Sequence, residues 1–287
     1  MSQLSNLQMP APPYIELGRG KSRIQIPILY EDRSVIAIDK PPGWLVAPAD
    51  WDRTSRNLQR AIEESIVRRS FWVKSRNLKF LRFVHRLDAE TTGVLLLVKS
   101  RGAVKPYSEL FERKRVLKLY LAVVHGLVEE DQWICALPLK EITKPCPRVI
   151  VDLKQGKPAT TQFHKLAHWT HPGLGPLSLV AAIPETGRTH QIRVHLASSG
   201  HPLVGDSLYG GKQTRTLASF GLRSVALKYR DPFTQQMVSI TAPVVEFLRQ
   251  FGLQTIPEML MDLQVALVKL APVGKTESRT RPADSMQ

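Results

Sequence analysis

The sequence has little cysteine, no long apolar run and fewer acidic than basic residues. Its two cysteines, Cys135 and Cys146, are too few for a disulfide framework, and they form no Cys-x-x-Cys pair or Cys/His cluster that suggests structural zinc. No apolar stretch approaches the roughly 20 residues that cross a bilayer. The first residues also lack the basic and then apolar pattern of a secretory signal. These absences predict a soluble, cytoplasmic protein without a membrane partner.

Acidic side chains are outnumbered, because 25 Asp and Glu stand against 40 Lys and Arg and leave a formal net charge of +15. Hydrophobic residues make up 43% of the 287 residues, which is typical of a folded domain and too apolar for a disordered chain. The charge favours a polyanionic partner such as nucleic acid, although a basic, well-solvated surface is the alternative.

Basic residues are concentrated at 53–82, a segment with nine basic residues and two acidic ones, Glu63 and Glu64. Phe71, Trp72 and Phe80 are interleaved with them. Cations that contact phosphates, together with rings that stack on bases, suit single-stranded or looped RNA. The alternative is a solvated helix face whose aromatic residues belong to the core. The basic residues are Arg53, Arg56, Arg60, Arg68, Arg69, Lys74, Arg76, Lys79 and Arg82.

Turn and periodicity signals predict one compact domain over residues 24–250, followed by a helical extension at 251–271. Flexible tails are predicted at 1–22 and 272–287. Predicted strands cover 35–39, 94–98, 116–124, 159–167, 177–183, 223–229 and 236–241. Predicted helices cover 55–69, 102–114, 189–198, 244–251 and 257–268, with Pro106 in the first turn of the second. Strands outnumber helices without a regular βαβ rhythm, so the predicted fold class is α+β, with a mixed, largely antiparallel central sheet flanked by helices and loops.

Motifs for phosphate and metal binding are incomplete. Gly211-Lys212 resembles the end of a P-loop, but Asp206 stands where the motif has its first glycine and Gln213 where it has Ser or Thr. A kinase His-Arg-Asp loop would place the aspartate one position before Asp88. Three histidines at 164, 168 and 171 have the spacing of a helical metal site, but a strand at 159–167 would scatter them. No nucleotide or metal cofactor is therefore indicated.

Three separated segments hold polar residues that a simple core would exclude. In the first, residues 84–93, Asp88 lies on a loop that abuts the buried strand 94–98, where a carboxylate stays ionised only beside a cationic or hydrogen-bonding partner. In the second, period two places Lys118 and Tyr120 on one face of strand 116–124 and its leucines on the other. In the third, residues 185–206, helical spacing puts His190 and Arg193 on one face.

Four ordered segments resemble motifs of one enzyme family. They are Asp39–Gly43; His85–Asp88 with Thr91, Gly93 and Leu95; Phe111–Val124; and Gly187–Leu196 with Gly200–Leu203, Gly205 and Asp206. Their order and spacing over roughly residues 28–245 are similar to those of the RluA-type RNA pseudouridine synthases. The opening motif departs from the family pattern where the chain has Ala47-Pro48 in place of the usual His-Pro.

The resemblance implies the pseudouridine synthase catalytic fold and an isomerase that converts specific uridines of ribosomal or transfer RNA to pseudouridine. The bond from ribose to the ring nitrogen breaks, the base rotates, and ribose is rejoined to carbon five. Because this reaction is redox-neutral and adds no group, no cofactor is expected. The implied partner is RNA, no obligate protein partner is indicated, and the expected state is a monomer. A catalytically inactive RNA-binding or assembly protein of the same fold is the alternative.

The same resemblance implies roles for residues of this chain. Asp88 is the expected essential carboxylate, acting as a nucleophile or otherwise starting base detachment. Arg193 is expected to pair with it, with a phosphate-binding or surface arginine as the alternative, and a separation beyond about 6 Å would argue against the pair. Tyr120 is expected to stack on the target base or to help remove the proton from carbon five. The residues expected to shape loops and contact RNA are His85, Arg86, Lys118, Arg188, Thr189 and His190.

Overall fold

The computed structural model describes residues 14–18, 20, 23–46, 56–144, 147–211, 219–255 and 257–270. Most of the two predicted tails lies outside these residues. So do Ala47, Pro48, Arg53, Cys146, Lys212 and Gln213.

Eleven strands form one mixed sheet, and two form a separate hairpin. The strands are β1 (Tyr14–Leu17), β2 (Ile24–Glu31), β3 (Val35–Lys40), β4 (Arg82–Phe83), β5 (Thr92–Val98), β6 (Leu117–His125), β7 (Gln132–Cys135), β8 (Leu139–Ile142), β9 (Arg148–Val151), β10 (Thr161–His171), β11 (Gly175–Pro184), β12 (Leu222–Arg230) and β13 (Met237–Thr241). The order is β1-β2-β3-β5-β12-β6-β11-β10-β7, with β4 beside β5, β13 beside β12, and β8 paired with β9. Among the described strands, β5 and β12 form the one parallel pair. The predicted α+β fold class and the mixed, largely antiparallel sheet are confirmed.

Helices cover both faces of the sheet. They are α1 (Leu58–Val67), α2 (Phe71–Lys74), α3 (Arg101–Glu112), α4 (Gln191–Ser198), α5 (Val245–Arg249) and α6 (Leu263–Leu270), with a 3-10 turn at Glu258–Leu260. The predicted alternation in β6 decides which helices share a layer. Tyr120, on one face of β6, belongs to the core that includes α1, α2 and α4, whereas Leu119 and Leu121 pack with α5 and α6 on the other. Within the described ranges, no helix has the length and apolarity needed to cross a membrane.

Helix α3 differs from its prediction at Pro106. The helix begins at Arg101, where the Ser100 side chain caps it by accepting a bond from the Ala103 N–H. Pro106 therefore lies in the second turn rather than the first, where its missing N–H removes one helical hydrogen bond. The helix persists because Ala103, Tyr107 and Leu110 are buried against the sheet. Burial outweighs the local cost of the proline.

The predicted flexible tail at 1–22 is wrong at residues 14–17. These residues form the edge strand β1, which pairs with β2 in antiparallel register. Ile15 and Leu17 are completely buried in the core that contains α1 and α2. Their alternation with Tyr14 and Glu16 is the pattern of a half-buried strand. The prediction missed it because the strand has only four residues.

The segment after residue 250 also contributes to the core. Ala266 and Leu270 of α6 are buried in the layer formed with β6 and β11.

The long strand β10 carries His164 and His171 about 23 Å apart, at 3.3 Å per residue. The strand predicted at 159–167 is therefore present, and it separates these histidines.

Candidate active site

Asp88 lies on the loop that joins β4 to β5, and contacts on both sides hold this loop in place. On one side, His85 Nε2 accepts a 2.9 Å hydrogen bond from the backbone N–H of Leu96 in β5, and its ring stacks on Phe111 at 4.5 Å. On the other side, the completely buried ammonium of Lys40 donates to the carbonyls of Ala89 and Thr91 at 2.6 and 3.0 Å. The backbone around Asp88 is thus tied to β3, β5 and α3.

Gly93 allows β5 to approach β12 directly after this loop. Its φ of +102° is a conformation that other residues rarely adopt. A Cβ at this position would lie only 1.9 Å from the carbonyl oxygen of Ser224 in β12. The parallel pairing of β5 with β12, directly after the loop that carries Asp88, therefore requires glycine at residue 93.

The third polar segment, residues 185–206, begins with a turn before α4 that is fixed by the side chain of Gln191. Its Oε1 accepts hydrogen bonds from the Thr186 hydroxyl at 2.6 Å and the Arg188 N–H at 3.0 Å. Its Nε2 donates to the Thr160 carbonyl and the Thr161 hydroxyl, both at 2.9 Å. All four bonds fix the turn 186–190. His190 then closes that turn with a φ of +53°, so it caps the helix rather than belonging to it.

The two segments meet in an ion-pair cluster around Arg193. The predicted pair with Asp88 is present, because Arg193 Nη1 lies 3.2 Å from Asp88 Oδ2. The same guanidinium binds Asp206 more closely, through Nε at 2.7 Å and Nη2 at 2.9 Å. The rings of Tyr209 and Phe220 also contact it, at 5.0 and 5.3 Å from their centroids. Arg193 is therefore held in place by four side chains.

In this cluster Arg193 stays positively charged, whereas the imidazole rings of His85 and His190 are neutral. Burial acts to lower the pKa of Arg193, but the hydrogen bonds and charges of Asp206 and Asp88 outweigh it and raise that pKa. Burial lowers the pKa of His85 to about 3, and the positive charge of Lys118 adds to this effect. Burial also lowers the pKa of His190, although the Asp88 charge opposes it. Both histidine rings are therefore neutral at pH 7.

A cavity of about 380 Å³ opens in front of Asp88. This volume lies within the range of small-molecule pockets. Tyr120 is a buried residue of its lining, and burial together with the nearby Asp88 charge raises the pKa of the phenol. All nine residues that the sequence predicted for the site line this one cavity: His85, Arg86, Asp88, Lys118, Tyr120, Arg188, Thr189, His190 and Arg193. A smaller cavity of about 170 Å³ lies beyond Asp88, beside Leu45 and Val46.

The six residues expected to contact RNA differ in how they are held. Arg86 and Arg188 are exposed, and the Arg188 Nε donates to the Pro158 carbonyl at 3.2 Å. The Lys118 ammonium donates to the Thr186 carbonyl at 3.1 Å, and the Thr189 hydroxyl donates to Glu141 at 2.7 Å. The two remaining residues are the neutral histidines described above. In the described part of the chain, no group of three or more His, Cys, Asp or Glu side chains is arranged to hold a metal ion.

Sequence reasoning assigned no role to three residues that organise the site. Asp206 is almost completely buried and forms the closest ion pair of Arg193. Lys40 and Gln191 fix the two loops that carry Asp88 and His190. All three residues lie in the segments that resemble the family motifs, so their positions were visible in the sequence. The signal that was missing is burial, which a linear pattern does not show for a charged residue inside a loop.

Comparisons with known proteins agree with this geometry. Residues 34–198 match the family model described as RNA pseudouridylate synthase. The chain is 34% identical over 232 residues to the ribosomal large subunit pseudouridine synthase C of Escherichia coli (strain K12), covering 78% of this chain and 68% of that protein. The chain belongs to the RluA-type RNA pseudouridine synthase family. It is an isomerase that converts uridine in RNA to pseudouridine.

Two further comparisons extend over more of the synthase. The dual-specificity RNA pseudouridine synthase RluA of Pasteurella multocida (strain Pm70) is 30% identical to it over 235 residues, covering 82% of this chain and 95% of that protein. The structure titled human RNA pseudouridylate synthase domain containing 1 has a TM-score of 0.66 at 24% identity, covering 85% of this chain and 94% of that chain. This structural likeness shows the pseudouridine synthase fold.

Proposed function

We propose that this synthase modifies ribosomal RNA and that Asp88 is its essential carboxylate. Transfer RNA is the alternative that the family resemblance leaves open. The single observation that supports the site is the convergence of Asp88, Tyr120 and Arg193 on one cavity. The RNA class is suggested by the similar synthase from Escherichia coli, whose name places its substrate in the large ribosomal subunit.

Asp88 would act through the oxygen that Arg193 does not bind. Oδ2 contacts the guanidinium, whereas Oδ1 lies 3.9 Å from a neutral His190, beyond hydrogen-bond distance. We assign Oδ1 to the sugar or ring of the flipped uridine, as a nucleophile or as the group that starts base detachment. In either case the bond from C1′ to N1 breaks and a bond from C1′ to C5 forms. The proton leaves C5 and N1 gains one, so no oxidant or added group is needed.

Tyr120 would support the base by stacking. Its raised pKa keeps the hydroxyl protonated at neutral pH, and a protonated phenol is a poor acceptor for the C5 proton. Its ring lines the cavity, where an aromatic face can contact a base that has left its helix. Of the two roles that the resemblance implies, this environment favours stacking over proton transfer.

The residues at the cavity rim divide into contacts and supports. We assign RNA phosphates to Arg86 and Arg188, because both are exposed, positively charged and at the cavity rim. We assign loop support to the two neutral histidines, to Thr189 and to Lys118, whose side chains bind protein groups. Arg193 would orient Asp88 rather than bind phosphate, since two carboxylates already occupy its donors.

We further propose that the catalytic unit acts as a monomer in the cytoplasm, where ribosomal RNA is available. All nine site residues come from one chain, so the site needs no residue from a second copy. The unit would include the predicted domain at 24–250, the strand β1 before it and the helical extension after residue 250, because β1 and α6 both contribute to the core.

The test is to incubate the purified protein with ribosomal RNA transcribed in vitro, which contains no modified bases, and to map carbodiimide-reactive pseudouridines. We expect new pseudouridine with the wild-type protein and none with Asp88→Asn, while both bind the RNA with similar Kd. Transcribed transfer RNA in parallel separates the two RNA classes. Turnover by Asp88→Asn would overturn the role of the carboxylate. Binding of ribosomal RNA without any new pseudouridine would overturn it as the substrate.

A further inference from the structure

The basic segment at 53–82 contains an exposed surface that the active site does not use. Of its three aromatic residues, Trp72 is buried and Phe80 is half-buried beneath Arg101. For these two, the alternative of a helix face whose rings belong to the core holds. Phe71 is different, because its side chain is 86% exposed. Val67, four residues before it, is 83% exposed. Exposed apolar surface rimmed by polar residues is a feature of interaction sites.

Basic residues flank this exposed ring in the sequence. Arg68 and Arg69 precede it, and Lys74 follows it at the end of α2. Neither Arg69 nor Lys74 has an acidic partner within 4 Å among the residues that the structure describes. The Nε of Arg68 is buried without a hydrogen-bond acceptor, and its Nη2 lies a long 3.5 Å from the Ser65 hydroxyl. Val67, Arg68, Arg69, Phe71 and Lys74 form what we call the α1–α2 patch.

Backbone hydrogen bonds define the turn that carries the patch. The turn between α1 and α2 is closed by bonds from the Ser70 N–H to the Ser65 carbonyl and from the Arg69 N–H to the Ile66 carbonyl, both 3.0 Å. In this type of helix end, the left-handed residue is usually glycine. Here it is Arg69, with a φ of +52°. A cation is thus kept at a position where the backbone favours glycine, which is consistent with a use for the side chain.

A cleft beside the patch continues its positive charge. Its lining includes Arg23, Arg68 and Ser70, together with Glu16 and two glycines. The Glu16 carboxylate is paired with Arg23 at 2.8 Å, so its charge is compensated and Arg68 adds a further positive charge. An anionic group is the chemistry that this arrangement favours.

The patch and the active site lie on the same side of the sheet. Helices α1 and α2 pack in the layer that contains Tyr120 and α4. Helix α1 begins beside Leu45, which lines the smaller cavity beyond Asp88, since the Leu58 N–H donates to the Leu45 carbonyl at 2.9 Å. Its ten residues then extend about 15 Å, at 1.5 Å per residue, towards the patch. A few nucleotides of single-stranded RNA span this distance.

We propose that the α1–α2 patch is a second RNA-contact surface, on which an unpaired base near the target uridine stacks on Phe71 while phosphates contact Arg68, Arg69 and Lys74. An exposed aromatic ring among cations is the arrangement that binds single strands, because bases stack on the ring and phosphates meet the charges. The inference rests on the proposed RNA substrate. It adds a binding site outside the catalytic cavity.

The first experiment measures the Kd of a fluorescein-labelled oligouridylate of about twelve nucleotides, a length within the range of single-strand sites, by fluorescence anisotropy. We expect Phe71→Ala to raise Kd about five- to hundredfold and Phe71→Tyr to leave it within about twofold, since stacking needs only a ring. Phe233→Ala is the matched control, because Phe233 is 55% exposed and packs on Tyr107 in the layer that contains α3. An unchanged Kd in Phe71→Ala, or an equal loss in Phe233→Ala, would overturn the proposal.

The second experiment separates stacking from charge by varying the salt concentration. Each phosphate contact that is lost reduces the slope of log K against log salt by about 0.7 for a single strand. We expect Arg69→Gln and Lys74→Gln to reduce that slope, whereas Phe71→Ala leaves it unchanged. Equal slopes in all three variants would overturn the assignment of phosphates to these cations.

The third experiment is ultraviolet crosslinking of the wild-type protein to the same oligouridylate, with mapping of the linked peptide. A crosslink at Phe71 supports the proposal. Modification of ribosomal RNA by wild-type protein that does not bind the oligouridylate would overturn the patch but not the proposed function. Sedimentation of Phe71→Ala provides the last comparison. A wild-type dimer that this substitution dissociates would assign the patch to a second copy of the chain instead of RNA.

Discussion

Arg193 binds Asp206 through two nitrogens, at 2.7 and 2.9 Å, and this bond is shorter than the contact that Arg193 makes with Asp88. Asp206 is 1% exposed, so the pair is shielded from water. A guanidinium bound in this way has a fixed plane, and its remaining nitrogen contacts Asp88. The orientation of the Asp88 carboxylate thus depends on a second acid that does not face the cavity.

Asp206→Asn should therefore reduce both stability and turnover. Removing one partner of a buried ion pair costs about 3 kcal/mol in the free energy of unfolding. A guanidinium displaced by about 1 Å should slow pseudouridine formation about a hundredfold. Urea denaturation and single-turnover assays measure these two quantities. Glu64→Gln is the control, because the exposed pair of Glu64 with Arg60 should contribute under about 1 kcal/mol. Wild-type turnover in Asp206→Asn would show that Arg193 does not need this anchor.

Tyr120→Phe should retain most of the activity. The buried phenol has a raised pKa and stays protonated, so its ring rather than its oxygen is expected to act on the base. We expect a single-turnover rate within about tenfold of wild type for Tyr120→Phe and a far larger loss for Tyr120→Ala. A loss of about 10²- to 10⁴-fold in Tyr120→Phe would instead indicate proton transfer by the hydroxyl.

Lys40 should impose an alkaline limit on the reaction. Burial lowers its pKa to about 8, although the charges of Glu90 and Asp88 oppose the shift. The Lys40 ammonium donates to the carbonyls of Pro41, Ala89 and Thr91. A neutral amine has only two hydrogens, so one of these three hydrogen bonds is lost when the proton leaves. The rate should fall by up to about tenfold per pH unit above pH 8. Lys40→Met should be slower at every pH and should lack this alkaline fall in rate. Lys99→Met, which loses a surface pair with Glu31, should retain it.

The stability of the protein provides an independent check on the cause of the alkaline fall in rate. The pKa of Lys40 is lower in the folded protein than its ordinary value of 10.5, so between about pH 8 and 10.5 the unfolded chain binds the additional proton. The contribution of Lys40 to the free energy of unfolding therefore increases with pH across this window. The loop explanation would be contradicted if wild-type protein unfolded over the same alkaline range in which it loses activity, and if Lys40→Met lost fold and activity over that range in the same way.

Gly93→Ala should prevent the sheet from closing beside the loop that carries Asp88. The added Cβ would overlap the Ser224 carbonyl oxygen, and the φ of +102° disfavours any side chain. We expect a loss of at least about 3 kcal/mol in the free energy of unfolding, measured in urea. Gly102→Ala is the matched control, since nothing lies within 4 Å of its Cβ position in α3. That substitution should stabilise by about 0.5–1 kcal/mol.

Patterns that depend on neighbours in the chain were predictable from sequence. The alternation in β6 assigned Lys118 and Tyr120 to one face, and both line the cavity. The proximity of Asp88 and Arg193 was predictable only through the family resemblance, because 105 residues separate them. Their distance of 3.2 Å agrees with the expected pair.

Features that depend on tertiary packing were not predictable. Strand β1 needs α1 and α2 to cover Ile15 and Leu17, and a strand of four residues has too few alternations to be distinguished from a tail. Pro106 is tolerated in α3 because neighbouring side chains are buried. The role of Asp206 depends on the turn after α4, which brings residue 206 back to Arg193 on the helix.

The double anchoring of Arg193 has a consequence for the reaction cycle. If Asp88 is the reacting carboxylate, as we propose, it ceases to compensate the guanidinium when it forms a bond to the substrate or neutralises a developing positive charge on the sugar. A buried cation that lost its only counterion would have to move, or water would have to enter the site. Either change would raise the free-energy barrier of the reaction. Asp206 takes no part in the proposed reaction and binds the guanidinium through two nitrogens, so Arg193 would keep its position while Asp88 reacts. The change in charge would then be confined to a single carboxylate.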